Sequence, residues 1–562
     1  MQVRKSWMIL SLIILSSAKI FAQSDYIDLN NKQYQLLDRL DIKLRNDSVL
    51  GFTTFKPYNR KSVTKRVLEL DSLDKAGALA IPLSEIDRYN MQRLLMNNAE
   101  WAENYYDSFK LKKPVLKTFY KTPAALFAVN TKDFKLMVNP LLNLQYGNAN
   151  DGTGSIFTNT RGLVIRGNID DRIGFWTTIA DNQERDPAYV RDFEHKFTAV
   201  PGAGYYKYYN TNGYDYFNAT GGVTFNAGKY FDFVFGYDKP FIGDGYRSLF
   251  LSDFSSNYLF LRIKTRIWKL EYENLFTQLI SAHQTGADYI YPTKYMTLHH
   301  LSFQAFKWLN FGFYENIMFG RSNGYELSYL NPVIFLRSAE QQAGSPDKAT
   351  VGFNFKINAP KKVQFYGQLV INEFVAKEVF NYKEGDWRNK QALQLGAKYI
   401  DALGVKNLDL QGEVNFIRPY VYAHYDSLGN FSNYNQPLAH PLGANVRELV
   451  LLAKYQPIRK LYLQGKLITY LQGLDSAGVN FGSNIFLDYN TRPRDKGFFI
   501  GTGTPVYSTT ATLNASYEIF ENMFIDFNGT YRTYNVKDMP KSNVFFYSFG
   551  FRVNMARREF NF

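Results

Sequence analysis

A chain of 562 residues can hold several soluble domains or one large all-β unit. The absence of cysteine removes disulfides, zinc ribbons, thiol catalysis and a lipoprotein anchor in one step. Abundant aromatics (42 Tyr, 47 Phe) with a mean hydropathy of only −0.31 fit strands with one face in lipid and the other in water; the net charge of +14 suits anionic headgroups or an acidic polymer.

The first 22 residues read as a secretory signal peptide. The apolar run from Trp7 to Ala18 follows Arg4 and Lys5 and leads to Ile20, Phe21 and Ala22, with cleavage expected after Ala22. The run is too short for a comfortable membrane span. Export makes nucleic acid the least suited partner and places the chain in the envelope. No later apolar segment reaches helix-spanning length, so any membrane-embedded part must be a closed barrel, because lipid offers backbone groups no other partners.

Residues 23–122 have helical periodicity. Leu36, Leu37, Leu40 and Leu44 form one stripe, and Val63, Val67, Leu70 and Leu73 a second. Ser84 reads as an N-cap with Asp87 in the first turn, ahead of Met91, Leu94, Leu95, Trp101 and Tyr105. Two arrangements stand: a small bundle that folds alone, or one docked on the periplasmic mouth of a barrel. Pro114 and Pro123 mark a linker.

Residues 131–562 switch to a period of two, as in Val351, Phe353, Phe355 and Ile357, or Leu461, Leu463, Gly465 and Leu467. Such segments predict about eighteen antiparallel strands. Short connections near 168–171, 226–228, 307–310, 359–362, 456–459 and 520–522 alternate with long ones at 183–214, 239–256, 279–293, 320–348, 375–390, 417–444 and 471–509. Periplasmic turns and extracellular loops alternate in this way; a soluble sandwich or propeller gives no such alternation. The fold class predicted is therefore an all-β transmembrane barrel with a small N-terminal α-helical bundle. Its closing strand is read from Ser542 to Phe562, with Phe545, Tyr547, Phe549, Phe551 and Val553 on a lipid face and Ser548, Gly550, Arg552 and Asn554 on a lumen face.

Catalysis has little support. The six histidines are scattered, and His299 and His300 point to opposite faces of a strand. The Gly202/Gly204 and Gly501/Gly503 pairs lack the context of a phosphate loop. No enzyme activity, metal or cofactor is predicted; a hydrolase assembled from separate loops is the catalytic alternative.

Three loop-proximal clusters combine Arg with carboxylates or amides and aromatics. The first contains Asp244, Tyr246 and Arg247, the second Arg337, Glu340, Gln341 and Asp347, and the third His440, Asn445 and Glu448. Planar forked donors and ring faces are what sugar recognition uses. The other reading of these charges, Arg337, Glu340, Asp347 and Glu448 together, is a network that holds a long loop inside the lumen.

The order GDGYRSLFLS (243–252), LNPVIFLRSAEQQAGSPD (330–347) and HPLGANVRE (440–448), behind a helical N-terminal region, resembles the Wzi family of outer-membrane capsule assembly proteins. It is more closely similar to the Bacteroidota members associated with gliding motility, of the RemB type. The resemblance implies an eighteen-stranded barrel with a periplasmic helical bundle, acting as a non-enzymatic surface lectin that retains exported polysaccharide. It also implies that Arg337, Glu340 and Asp347 belong to the family's central motif. The partners expected are a capsule or exopolysaccharide, outer-membrane lipid, and periplasmic or surface components of a motility or secretion machine. A solute-conducting porin and an accessory secretion component are the alternatives. The lectin reading predicts an exposed basic and aromatic patch including Tyr205, Tyr206, Trp387 and Arg388.

Overall fold

The structure, a computed structural model, describes residues 24–562 apart from 46, 282–289, 322–323, 345–346 and 374–381. The signal-peptide reading of residues 1–22 lies outside the described residues.

Alternation dictates the wall. On the strand Lys348–Ala359, Gly352, Asn354, Lys356 and Asn358 are buried, while Phe353 between them is 49 % exposed. The same inversion recurs on Leu309–Phe319, where Phe311 is exposed, and on Ser542–Val553, where Phe545 and Phe549 are. Large apolar side chains thus face outward and polar ones inward, the reverse of a water-soluble core. Eighteen antiparallel strands, from Phe134–Ala149 to Ser542–Val553, close into one barrel. The seam pairs Phe546 with Ala149 and Val553 with Leu142. Closure leaves no edge, so every strand finds backbone partners within the wall.

The helical stripes form α1 (Gln33–Leu44), α2 (Arg60–Lys75) and α3 (Glu85–Asn97). Ser84 caps α3 in a reciprocal box: its Oγ accepts from Asp87 N–H at 2.9 Å and its own N–H donates to Asp87 Oδ2 at 2.9 Å. Leu36, Leu40, Val67, Leu70, Leu94 and Leu95 make the core between the helices. Of the two arrangements open in the sequence, the structure has the docked one: the helices sit in the short-turn end of the barrel. Lys356 Nζ of the wall lies 2.9 Å from Asp41 Oδ2, Lys32 Nζ bridges Glu518 and Glu521 at 2.5 and 2.6 Å, and Arg39 Nη2 lies 2.8 Å from Asp401 Oδ1.

From the long-loop end, residues 239–257 and 418–445 fold into the lumen. Phe241–Ile242 pairs antiparallel with Phe55–Lys56 ahead of α2, and Leu249, Phe250, Leu251, Tyr422 and Leu438 are buried inside the wall. Among the described residues the chain's own segments occupy much of the lumen and leave a chamber of about 770 Å³ between the helical region, these loops and the wall, lined by polar and apolar groups alike.

Two segments depart from the sequence reading. The closing strand stops at Val553 instead of continuing to Phe562. Asn554 adopts a φ of +52°, with its N–H on Asn522 O and its side-chain amide on Pro140 O, and residues 555–562 turn back into the lumen. The run Arg557, Arg558, Glu559 breaks the two-residue alternation, and inward carboxylates and amines meet it: Asp526 for Arg557, Glu184 for Arg558, Lys466 for Glu559. The second departure is 324–344, which does not enter the lumen. On Leu309–Phe319, Tyr314 faces inward and stacks on Phe250 at 4.3 Å, so Glu315, Ile317 and Phe319 face out. Tyr325, Tyr329, Leu336 and Ala339 pack over Ile317 and Phe319, making a strap against the outer wall.

Candidate functional site

The first and third sequence clusters meet inside the barrel. Arg247 forks onto Glu448, with Nη2 2.7 Å from Oε1 and Nε 3.1 Å from Oε2; His440 Nε2 lies 2.9 Å from the same Oε2. Glu413, two pairings across the wall, accepts the backbone N–H groups of Tyr246 (2.7 Å) and Arg247 (3.0 Å) and the Tyr366 hydroxyl (2.9 Å). Gly245 makes that approach feasible, because a Cβ there would collide with Glu413 Oε2. Asp244 accepts from Thr54 Oγ1 at 2.8 Å, tying the same loop to the helical region, and the Tyr246 hydroxyl accepts from Asn561 Nδ2 at 2.7 Å. Asn445, at a φ of +57°, ties the strand Leu461–Leu474 to the turn at Gly501 and Thr502: its Nδ2 donates to Gly473 O and Thr502 O at 2.7 Å, and its Oδ1 accepts from Gly501 N–H at 2.8 Å. These polar groups are buried and satisfy one another. What they do chemically is lock the inward loop to the wall.

The central motif is elsewhere. Arg337 and Glu340 pair at 2.6 Å within the short helix Leu336–Gln342 on the strap, and Gln341 beside them is exposed. Asp347 accepts from Arg321 (2.6 and 2.8 Å) and from the Tyr329 hydroxyl (2.7 Å). Strap and wall join where Leu336 N–H donates to Glu315 Oε2 at 3.0 Å, while Glu315 Oε1 lies 3.0 Å from His299 Nδ1. The reading that joined Arg337, Glu340 and Asp347 to Glu448 in one lumen network is therefore corrected: three of the four lie outside the barrel. Strand parity explains it, since Glu315, which receives the strap, points outward.

At the long-loop rim, segments 382–390, 424–425 and 489–499 bring rings and cations together. The Arg492 guanidinium sits 3.9 Å from the Trp387 ring centre, and Lys390 Nζ lies 4.4 Å from Trp387 and 3.7 Å from Tyr489. Tyr382, Tyr425 and Phe499 around them are exposed. Burial pushes the Lys390 ammonium down to about 8, against the opposing pull of Glu373. Of the four patch residues named from sequence, Trp387 is in this cluster. Arg388 is turned onto its neighbour Asp386 (2.8 Å), Tyr205 is exposed, and Tyr206 is buried against Tyr214 at 4.8 Å.

Three carboxylates escaped the sequence reading: Glu184, Asp186 and Glu194, whose oxygens lie within 4.8 Å of one another and are the set able to hold a metal ion among the described residues. The signal was the i, i+2 spacing of Glu184 and Asp186 at a strand end, which gives both the same face.

The outward apolar belt, polar interior and closed ladder define the class: an eighteen-stranded β-barrel of the outer-membrane type. No protein-family model and no curated protein matches the chain. Among solved structures it is similar in fold to Wzi of Escherichia coli, an outer-membrane protein involved in group 1 capsule assembly and a carbohydrate-binding β-barrel. That similarity has a TM-score of 0.54 and 13 % identity over 96 % of this chain and 100 % of that one. OprD of Pseudomonas aeruginosa (TM-score 0.42, 11 % identity, 74 % of this chain and 95 % of that one) and OpdK of the same organism (0.42, 7 %, 74 % and 98 %) are more distant.

Proposed function

We propose that this chain is a non-enzymatic barrel of the outer membrane, of the Wzi-like capsule-assembly type, that binds or retains surface polysaccharide at its long-loop end. In this reading the short-turn end with α1–α3 faces the periplasm. The observation that carries it is the rim cluster of Trp387, Tyr489 and Arg492, with Lys390 buried beneath it 2.6 Å from Glu373, set above a lumen that loops and helices enter. Ring faces stack on pyranose rings and cations attract acidic sugars. Support of gliding motility, as in RemB-like proteins, and docking of a motility or secretion partner on the helical region belong to the same reading. The test is binding of a labelled acidic polysaccharide to the purified chain in detergent. The W387A/R492A variant should bind at least about fivefold more weakly, since two such contacts contribute roughly 0.5–2 kcal/mol each. Native binding should weaken as pH rises past about 8, where Lys390 loses its proton, and K390M should lose that dependence. Unchanged binding in the double variant would sink the reading.

The chamber of about 770 Å³ favours a second reading, a solute-conducting porin. Steady open currents from the native chain in planar bilayers would support it; silence supports the plugged lectin.

A further inference from the structure

At the long-loop end of the strand Ile173–Arg185, Glu184 faces the lumen and Asp186 follows it out of the ladder. Pro187 then starts α4 (Ala188–Phe197), which folds back across the lumen and brings Glu194 against both. Tyr189 and Phe193 on α4 pack against Phe562 at 5.9 and 4.6 Å, so packing fixes the helix independently of its charges. All three carboxylates are buried, Glu194 completely.

Glu184 is paired: both its oxygens lie 2.6–2.7 Å from Arg558 Nη1. The Tyr214 hydroxyl is the neutral partner beside Glu194, and Oδ2 of Asp186 accepts no hydrogen bond from the protein. The Tyr214 hydroxyl lies between Glu194 and His195 Nε2, 3.5 Å from the latter, and Arg191 Nη2 donates to Thr153 Oγ1 at 2.9 Å. A buried carboxylate without a partner costs several kcal/mol. Its neighbours make this worse, since burial and then the adjoining carboxylates push Asp186 and Glu194 well above the usual carboxylate range. A cavity of about 80 Å³, lined by Glu184 and Asp186, opens beside them and has room for coordinating water.

We propose that Glu184, Asp186 and Glu194 form a site for a hard divalent cation of the calcium class, which fastens α4 to the barrel wall. The donor set is all oxygen, with no thiolate and no imidazole among the three, and its flexible carboxylates suit the irregular shell of Ca²⁺ better than the strict octahedron of Mg²⁺. A cation placed there gives Asp186 Oδ2 a partner and balances the charge of Glu194.

The test uses the full chain in detergent, stripped with chelator, and Ca²⁺ alone as the probe. Calorimetric titration should show one site with a Kd on the order of 0.1–1 mM, as for extracellular sites with few charged ligands. Ca²⁺ should also raise the thermal midpoint by several degrees, Mg²⁺ by less. E194Q and D186N/E194Q should lose both responses, whereas D192N, altering an exposed residue of the same helix, should keep them. Folding of each variant is checked by its circular dichroism and its heat-modifiable migration. The proposal is overturned if the native chain gives no heat and no shift at 10 mM Ca²⁺, as a pair of protonated carboxyls would give. It is equally overturned if E194Q and D186N/E194Q respond like the native chain, which would show an adventitious ion only.

Discussion

Arg247 and Glu448 show what a single residue contributes inside this barrel. Each is buried, and Arg247 forks onto Glu448, which His440 and Asn415 also contact. Replacing such a pair whole can be nearly neutral, but removing one partner strands the other without solvent and costs about 3–5 kcal/mol. R247M should therefore lower the unfolding midpoint sharply in a heat or denaturant series, while R247M/E448M should recover much of the loss. Equal losses in the two variants would show that the pair does not act as a unit. Sequence reading singled out both residues, because forked donors and carboxylates stand out near loops. Their partnership was not legible: they are 201 positions apart, and only the inward path of 239–257 joins them. Glu184, Asp186 and Glu194 were missed for a related reason, since α4 brings Glu194 to the others by folding through the lumen, and no local pattern encodes that route.

At the scale of elements, period and caps carried most of the information. The stripes at Leu36–Leu40 and Val63–Leu70 lie in α1 and α2, and the Ser84–Asp87 box begins α3 where the sequence placed it. The strand ending at Val553 was overextended, because an alternating pattern does not announce a turn made by one residue at positive φ. The 324–344 strap was equally hidden, since a loop of that length reads the same whether it folds in or out. Its outer surface carries large apolar side chains beside polar ones such as Asn331 and Gln341: Val333 is 83 % exposed, and Leu327 and Phe335 are exposed with it. That surface continues the outward belt of Phe311 and Phe353. Because the chain has no native cysteine, V333C takes a single nitroxide label cleanly. In lipid vesicles its collisions with dissolved oxygen should exceed those with a water-soluble nickel complex; the opposite ranking would place the strap in water.

For the molecule as a whole, the period-two segments predict the strand count and the alternation of short and long connections predicts the barrel, since closure in lipid leaves few other solutions. What fills it was not predictable, because plugging depends on contacts between distant segments. The helical region holds the short-turn mouth through Arg39, Lys32 and Lys356. Deleting residues 24–115 should therefore give larger and noisier currents in planar bilayers than the native chain gives, while unchanged currents would mean that the helical region does not obstruct the lumen. The strap has its own consequence at this scale. Beneath it the His299–Glu315 pair sits on the hydrocarbon side of the wall, where a bare carboxylate costs about 2.5–3.5 kcal/mol or more. Peeling the strap away would hand that group to the acyl chains, so the bilayer itself clamps the flap: the oilier the surroundings, the harder it is to lift.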